Sequence, residues 1–124
     1  MVLFDANAIL RYILQDNQEM VDSVERELSS NVCYIPVEVI AEVIYVLFKV
    51  YHAERNIISQ IVMDITNADK IRVAQKRVVH HALRVYASTT FDFVDCLLAG
   101  YAKEEKYNIF TFDKKLQTFL KKQE

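Results

Sequence analysis

The stretch Met1–Leu10, MVLFDANAIL, decides how this chain folds. Val2, Leu3 and Phe4 form a short apolar run of the kind that makes a buried strand. Asp5 follows at once, and Ile9, Leu10, Ile13 and Leu14 then recur at helical spacing. The segment therefore reads as a strand over 2–5 that hands over to a helix over 7–16, with a carboxylate at the junction. A single acid there is compatible with a helix cap. Near the other end, residues 108–116, NIFTFDKKL, repeat the arrangement with Asp113. An ionised carboxylate buried without a partner is costly, so two such acids at equivalent places point to something positive that joins them.

Strand and helix signals alternate along the rest of the chain. A second helix is expected over 17–30, with Met20, Val21, Val24 and Leu28 on one side, and a second strand over 32–35. Pro36 suits the first turn of a third helix, where its missing N–H is no loss. That helix runs from Val37 to Tyr51. Residues 54–66 carry Ile57, Ile58, Ile61, Val62 and Ile65 on one face of a fourth helix. A strand over 71–73, a helix over 76–87, a helix over 91–106 with the stripe Val94, Leu97, Leu98, Tyr101, a strand over 109–112 and a helix over 115–122 complete the series. Only one glycine and one proline are present. Asn31 and Asn108 are expected to end helices in the left-handed conformation that asparagine tolerates. The pattern predicts an α/β fold: one domain, residues 1–124, with a short, mainly parallel sheet flanked by helices.

Bulk properties agree. The 124 residues are 52% hydrophobic and 26% charged, a globular composition with room for one core. The formal net charge of -2 argues against coating nucleic acid by bulk electrostatics, though not against a local site that acts on it. The longest apolar segment, 37–51, is interrupted by Glu38, Glu42 and Lys49, so no membrane span is expected. The N-terminus lacks the features of a signal peptide. Cys33 and Cys96 lie in apolar segments outside any metal-binding spacing and read as reduced thiols of a cytoplasmic protein.

Four acids stand out. In parallel sheets ligands bind beyond the carboxyl ends of strands, which is where Asp5 and Asp113 fall. Asp92 and Asp95 lie near the start of one helix, three residues apart. Asp92 is placed as a cap, whereas Asp95 lies deeper and off the apolar stripe. Glu42 sits in a helix apolar almost all round; alone it is explained by a narrow polar strip shared with Glu38, but it gains meaning within a set. Crowding Asp5, Glu42, Asp95 and Asp113 sets each close pair against the other by about 4 kcal/mol at an effective dielectric of about 20. A hard, oxygen-loving cation, Mg²⁺ or Mn²⁺, would offset that repulsion. Such metals can turn water into a nucleophile and offset charge on a phosphodiester.

The segments VLFDANAIL, PVEVIAEVIYVL, FDFVDCLLAGYA and IFTFDKKL, in that order, resemble the PIN domain family, and within it the VapC-type toxins of toxin–antitoxin pairs. The resemblance covers nearly the whole chain. It implies a metal-dependent endoribonuclease whose catalytic and metal-ligating residues are Asp5, Glu42, Asp95 and Asp113. It further implies an RNA substrate, a cognate antitoxin and a homodimer. Asn7 and Thr111 match family positions that shape the metal shell, and Asn7 is equally placed to cap the first helix. Ala6 stands where many relatives carry threonine. Two other functions compete. A non-catalytic acid-lined binding domain would need no metal chemistry. An aspartyl-nucleophile phosphatase needs a second aspartate two positions after Asp5, where this chain has Asn7.

Other candidates carry less. His80 and His81 are adjacent, so they point to different faces and read as surface residues. Lys114 and Lys115 are placed either to touch phosphate or simply to solvate the last helix. Tyr12, Tyr45 and Tyr51 are the tyrosines free to join an interface. The helix over 37–51 carries more apolar surface than one small sheet can cover, which predicts an exposed patch for a dimer partner or an antitoxin.

Overall fold

Two-residue strands and nine- to thirteen-residue helices alternate through the computed structural model, which describes all of residues 1–124. The chain divides into two compact units, Met1–Ala74 and Gln75–Glu124.

The first unit holds β1 (Val2–Leu3), α1 (Ala6–Leu14), α2 (Gln18–Ser30), β2 (Cys33–Tyr34), α3 (Val37–Lys49), α4 (Arg55–Thr66) and β3 (Ile71–Arg72). The strands form a parallel sheet in the order β1-β2-β3, with Val2 opposite Cys33 and Cys33 opposite Ile71. Hydrogen bonds from Phe4 N to Tyr34 O (3.2 Å) and from Ile35 N to Arg72 O (3.0 Å) extend the pairing past the strand ends. The α/β architecture with a short parallel sheet and flanking helices is the one expected. Burial of the strands is less uniform than expected: Cys33 and Ile71 are buried, but Leu3 is exposed.

Helix α3 shows how an almost wholly apolar sequence is placed. Ile40, Val43, Ile44 and Leu47 form its buried face. Glu38, Glu42, Tyr45 and Lys49, at intervals of four, three and four residues, share the solvent face. Val39, Val46 and Phe48 are half-buried between them. The wide exposed patch expected on this helix is therefore reduced to Tyr45, with Val50 and Tyr51 beyond its end. Pro36 takes the cap position rather than the first turn. On α4 the buried face is Ile58, Ser59, Val62 and Thr66, so Ile57 turns outward, and on α2 Met20 does likewise.

The second unit holds α5 (Lys76–Ser88), α6 (Phe93–Glu105) and α7 (Lys114–Gln123). Helices α5 and α6 pack very closely. A Cβ built on Gly100 would lie 2.6 Å from the Val78 carbonyl oxygen, so only glycine allows this approach. The crossing also sets the rotation of α6. Its buried residues are Phe93, Cys96, Leu97, Ala99 and Gly100, while Val94 is 60% exposed. The expected stripe through Val94 is thus wrong by one position, because the lone glycine, rather than the bulkiest side chains, marks the contact. Gln123 fastens the end of α7: its Nε2 donates to Ala99 O (2.9 Å) and its Oε1 lies 3.0 Å from His81 Nε2.

Two further expectations fail. Residues 109–112 belong to no strand, and Phe110 and Phe112 are exposed, their rings edge to face at 5.3 Å. A short run rich in aromatic and β-branched residues permits a strand, but strand identity requires a hydrogen-bonded neighbour. Neither asparagine ends a helix in the left-handed region. Asn31 is extended (φ -139°), and the left-handed positions are Gln15, His52, Gln75 and Lys106. Of these, Gln15 and Lys106 end α1 and α6. There the demand for positive φ is set by where the helix must stop, and polar side chains other than asparagine accept it at some strain.

Candidate functional site

Asp5 is the N-cap of α1. Its Oδ1 accepts the Ala8 N–H at 2.8 Å, so the chain needs this carboxylate structurally whatever else it does. The cap is therefore Asp5 and not Asn7, which is exposed in the first turn. Both line an open groove of about 420 Å³ between α1 and α2, together with Arg11, Glu19 and Ser23. Arg11 is held by Asp16 at 2.7 Å, and its buried Nε has no partner. Arg11, which lines the same groove as Asp5, is not singled out by the sequence; its i+6 spacing gives no signal. Glu42 lies on the solvent strip of α3, its carboxylate unhindered by packing.

The second unit brings three acids into electrostatic contact. Asp92 caps α6, with Oδ1 accepting the Asp95 N–H at 3.2 Å, as its sequence position predicts. Asp113 caps α7, with Oδ1 accepting the Leu116 N–H at 3.0 Å. Asp95, half-buried in the first turn of α6, has its pKa raised from the ordinary carboxylate value. Burial is the largest cause, followed by the charge of Asp92, a side-chain hydrogen bond with Asp92, and the charge of Asp113. The Asp92 role is thus double, a cap and a repelling neighbour, and spacing alone showed only the first. Thr111 supports Asp113: its Oγ1 accepts the Asp113 N–H at 3.1 Å, while its carbonyl accepts from Gln117 Nε2 at 2.7 Å.

Within each unit no three His, Cys, Asp or Glu side chains stand grouped around a ready-made ion position. The donor chemistry nevertheless fits a hard divalent cation. The candidate donors are all carboxylate oxygens, and Asp95 has its pKa raised by burial and then by acidic neighbours whose charge a cation would offset. The other titratable groups have ordinary explanations. His80 is pushed below the usual imidazole range by burial and by Lys76 and Arg84 on its own helix. His81 is bonded to Gln123. Cys33 and Cys96 are buried free thiols. Lys114 and Lys115 are exposed beside Asp113.

Comparison with known proteins bears on the family of the chain. The chain is 32% identical over 109 residues to a VapC ribonuclease of Aquifex aeolicus (strain VF5), an alignment that covers 84% of this chain and 80% of that protein. No solved structure gives a significant match. No helix is long and apolar enough to cross a membrane. The family model for the PIN domain matches residues 2–121, and the chain belongs to that family.

Proposed function

We propose that this protein is a Mg²⁺- or Mn²⁺-dependent endoribonuclease, the toxin of a type II toxin–antitoxin pair. The observation that carries the reading is the PIN match over residues 2–121 together with the likeness to a VapC ribonuclease. In it, Asp5, Glu42, Asp95 and Asp113 are the metal-ligating and catalytic residues. A bound divalent cation supplies Lewis acidity towards a phosphodiester and its attacking water. The chain's own part is to present oxygen donors at fixed places. Asp5 and Asp113 are locked by the N–H groups they cap, and Asp95 is fixed by its turn of helix and by Asp92. Asn7, Asp92 and Thr111 are auxiliary, Asp92 by accepting the Asp95 N–H and Thr111 by holding the Asp113 backbone. The partners that go with this function are RNA, a cognate antitoxin and a second copy of the chain, in the cytoplasm.

Cleavage of RNA by the purified protein tests the proposal. Activity should appear with Mg²⁺ or Mn²⁺, vanish with EDTA and vanish in Asp95→Asn. Cleavage that survives both EDTA and Asp95→Asn would overturn it. RNA binding without cleavage under any metal would instead support an acid-lined binding module.

A further inference from the structure

A cavity of about 480 Å³ in the second unit lies where the C-terminal end of α6 and residues 106–109 face α7. Its volume is within the range of small-ligand sites, about 300–1,000 Å³. Its wall is unlike the rest of a chain whose net charge is -2. Lys103, Lys106 and Lys121 all line it, and Glu124 is its only acidic residue. Lys103 gives one N–H to Gln123 O (2.8 Å) and Lys106 gives one to Lys103 O (3.1 Å), so each ammonium has donors to spare. Lys121 is a member of neither the Arg11–Asp16 nor the Arg77–Glu104 ion pair.

The same wall offers a flat aromatic surface. Tyr107 is 60% exposed, and its ring stacks on Tyr101 at 6.0 Å between centroids and 25° between planes. Asn108 and Gln117 add amide groups, and Leu120 adds apolar surface. Ammonium groups for a phosphate and an exposed aromatic ring for a base are the elements by which single-stranded nucleic acid is bound, and amides can donate to and accept from a base edge.

We propose that this cavity is a nucleotide site, taking a phosphorylated nucleoside with its base against Tyr107 and its phosphate on Lys103, Lys106 and Lys121. None of these residues is among the acids assigned to catalysis. The ligand is either one nucleotide of an RNA strand or a free mononucleotide; the first source rests on the ribonuclease reading, and the nucleotide chemistry does not.

Calorimetry of the full chain in EDTA tests the site without cleavage and without metal. The probes are 5′-AMP, 5′-GMP, inorganic phosphate and a short single-stranded RNA. Saturable binding of a mononucleotide, tighter than that of inorganic phosphate, is expected. Lys121→Glu and Tyr107→Ala should each weaken it at least about tenfold. Lys122→Glu, the same charge change one residue along and outside the cavity, should change it by less than about twofold. Competition between RNA and mononucleotide would assign the site to the RNA strand; saturable mononucleotide binding that RNA leaves untouched would assign it to the free nucleotide. Absence of saturable mononucleotide binding, or equal losses in Lys121→Glu and Lys122→Glu, would overturn the proposal. Because only binding is read, failure of the ribonuclease reading and failure of this site give different results.

Discussion

Asp92 both holds and opposes Asp95: its carboxylate accepts the Asp95 N–H at 3.2 Å, while its charge helps to raise the Asp95 pKa. A carboxyl group whose pKa is raised on folding binds more protons in the native state than in the unfolded one. Stability then falls as pH rises from the ordinary carboxylate range through the folded pKa. Above that window the metal-free protein carries the full penalty. Asp95→Asn removes it, so the variant should melt higher than wild type at neutral pH in EDTA, and the difference should shrink in acid. Added Mg²⁺ should reverse the order, stabilising wild type by mass action and the variant less. Thermal melts at neutral and acidic pH, with and without metal, check this; an apo variant less stable than wild type would contradict it.

Asp5 separates capping from catalysis. Asparagine keeps a side-chain oxygen for the Ala8 N–H, whereas alanine has none. Asp5→Asn should leave stability nearly unchanged, and Asp5→Ala should cost about 1 kcal/mol. Both should abolish metal-dependent RNA cleavage. Urea unfolding and a nuclease assay on the two variants decide the matter, and full activity in Asp5→Asn would remove Asp5 from the proposed ligand set.

Gly100→Ala tests the α5–α6 contact. Alanine gains up to about 1 kcal/mol in helix propensity. Its Cβ would nevertheless meet the Val78 carbonyl at 2.6 Å, a backbone atom that cannot rotate away. Overpacking of this kind costs about 1–3 kcal/mol, so a net loss of stability is expected from urea unfolding. An unchanged or raised midpoint would mean that the two helices separate easily.

Cys33 provides an alkaline test. Burial pushes its thiol up from 9.0 to about 11. Since the thiolate is the reactive form, iodoacetamide should label Cys33 in the native protein only slowly at pH 9. The rate should rise towards pH 11, where the stability contributed by the protonated thiol is also lost. Mass spectrometry of peptides from protein labelled across this range reads the profile. Rapid native labelling at pH 9 would show that the thiol is not sheltered as described.

What the sequence determined by itself is the series of elements and their chemistry. Apolar runs of strand length and helical periodicity placed β1–β3 and all seven helices within a few residues, because both signals are local. Asp92 could be read as a cap for the same reason: a cap and its N–H are three residues apart. The tertiary structure alone decided which side of α6 is buried, because Phe93 and Val94 are equally apolar and only the approach of Val78 to Gly100 chooses between them. It decided that the largely apolar residues 109–112 form no strand, since strand identity depends on a neighbour that lies elsewhere in the chain. It also decided that the Asp95 pKa is raised, first by burial and then by charges nearby. Asp113 is eighteen positions away in sequence, and its field reaches Asp95 only after the helices have packed.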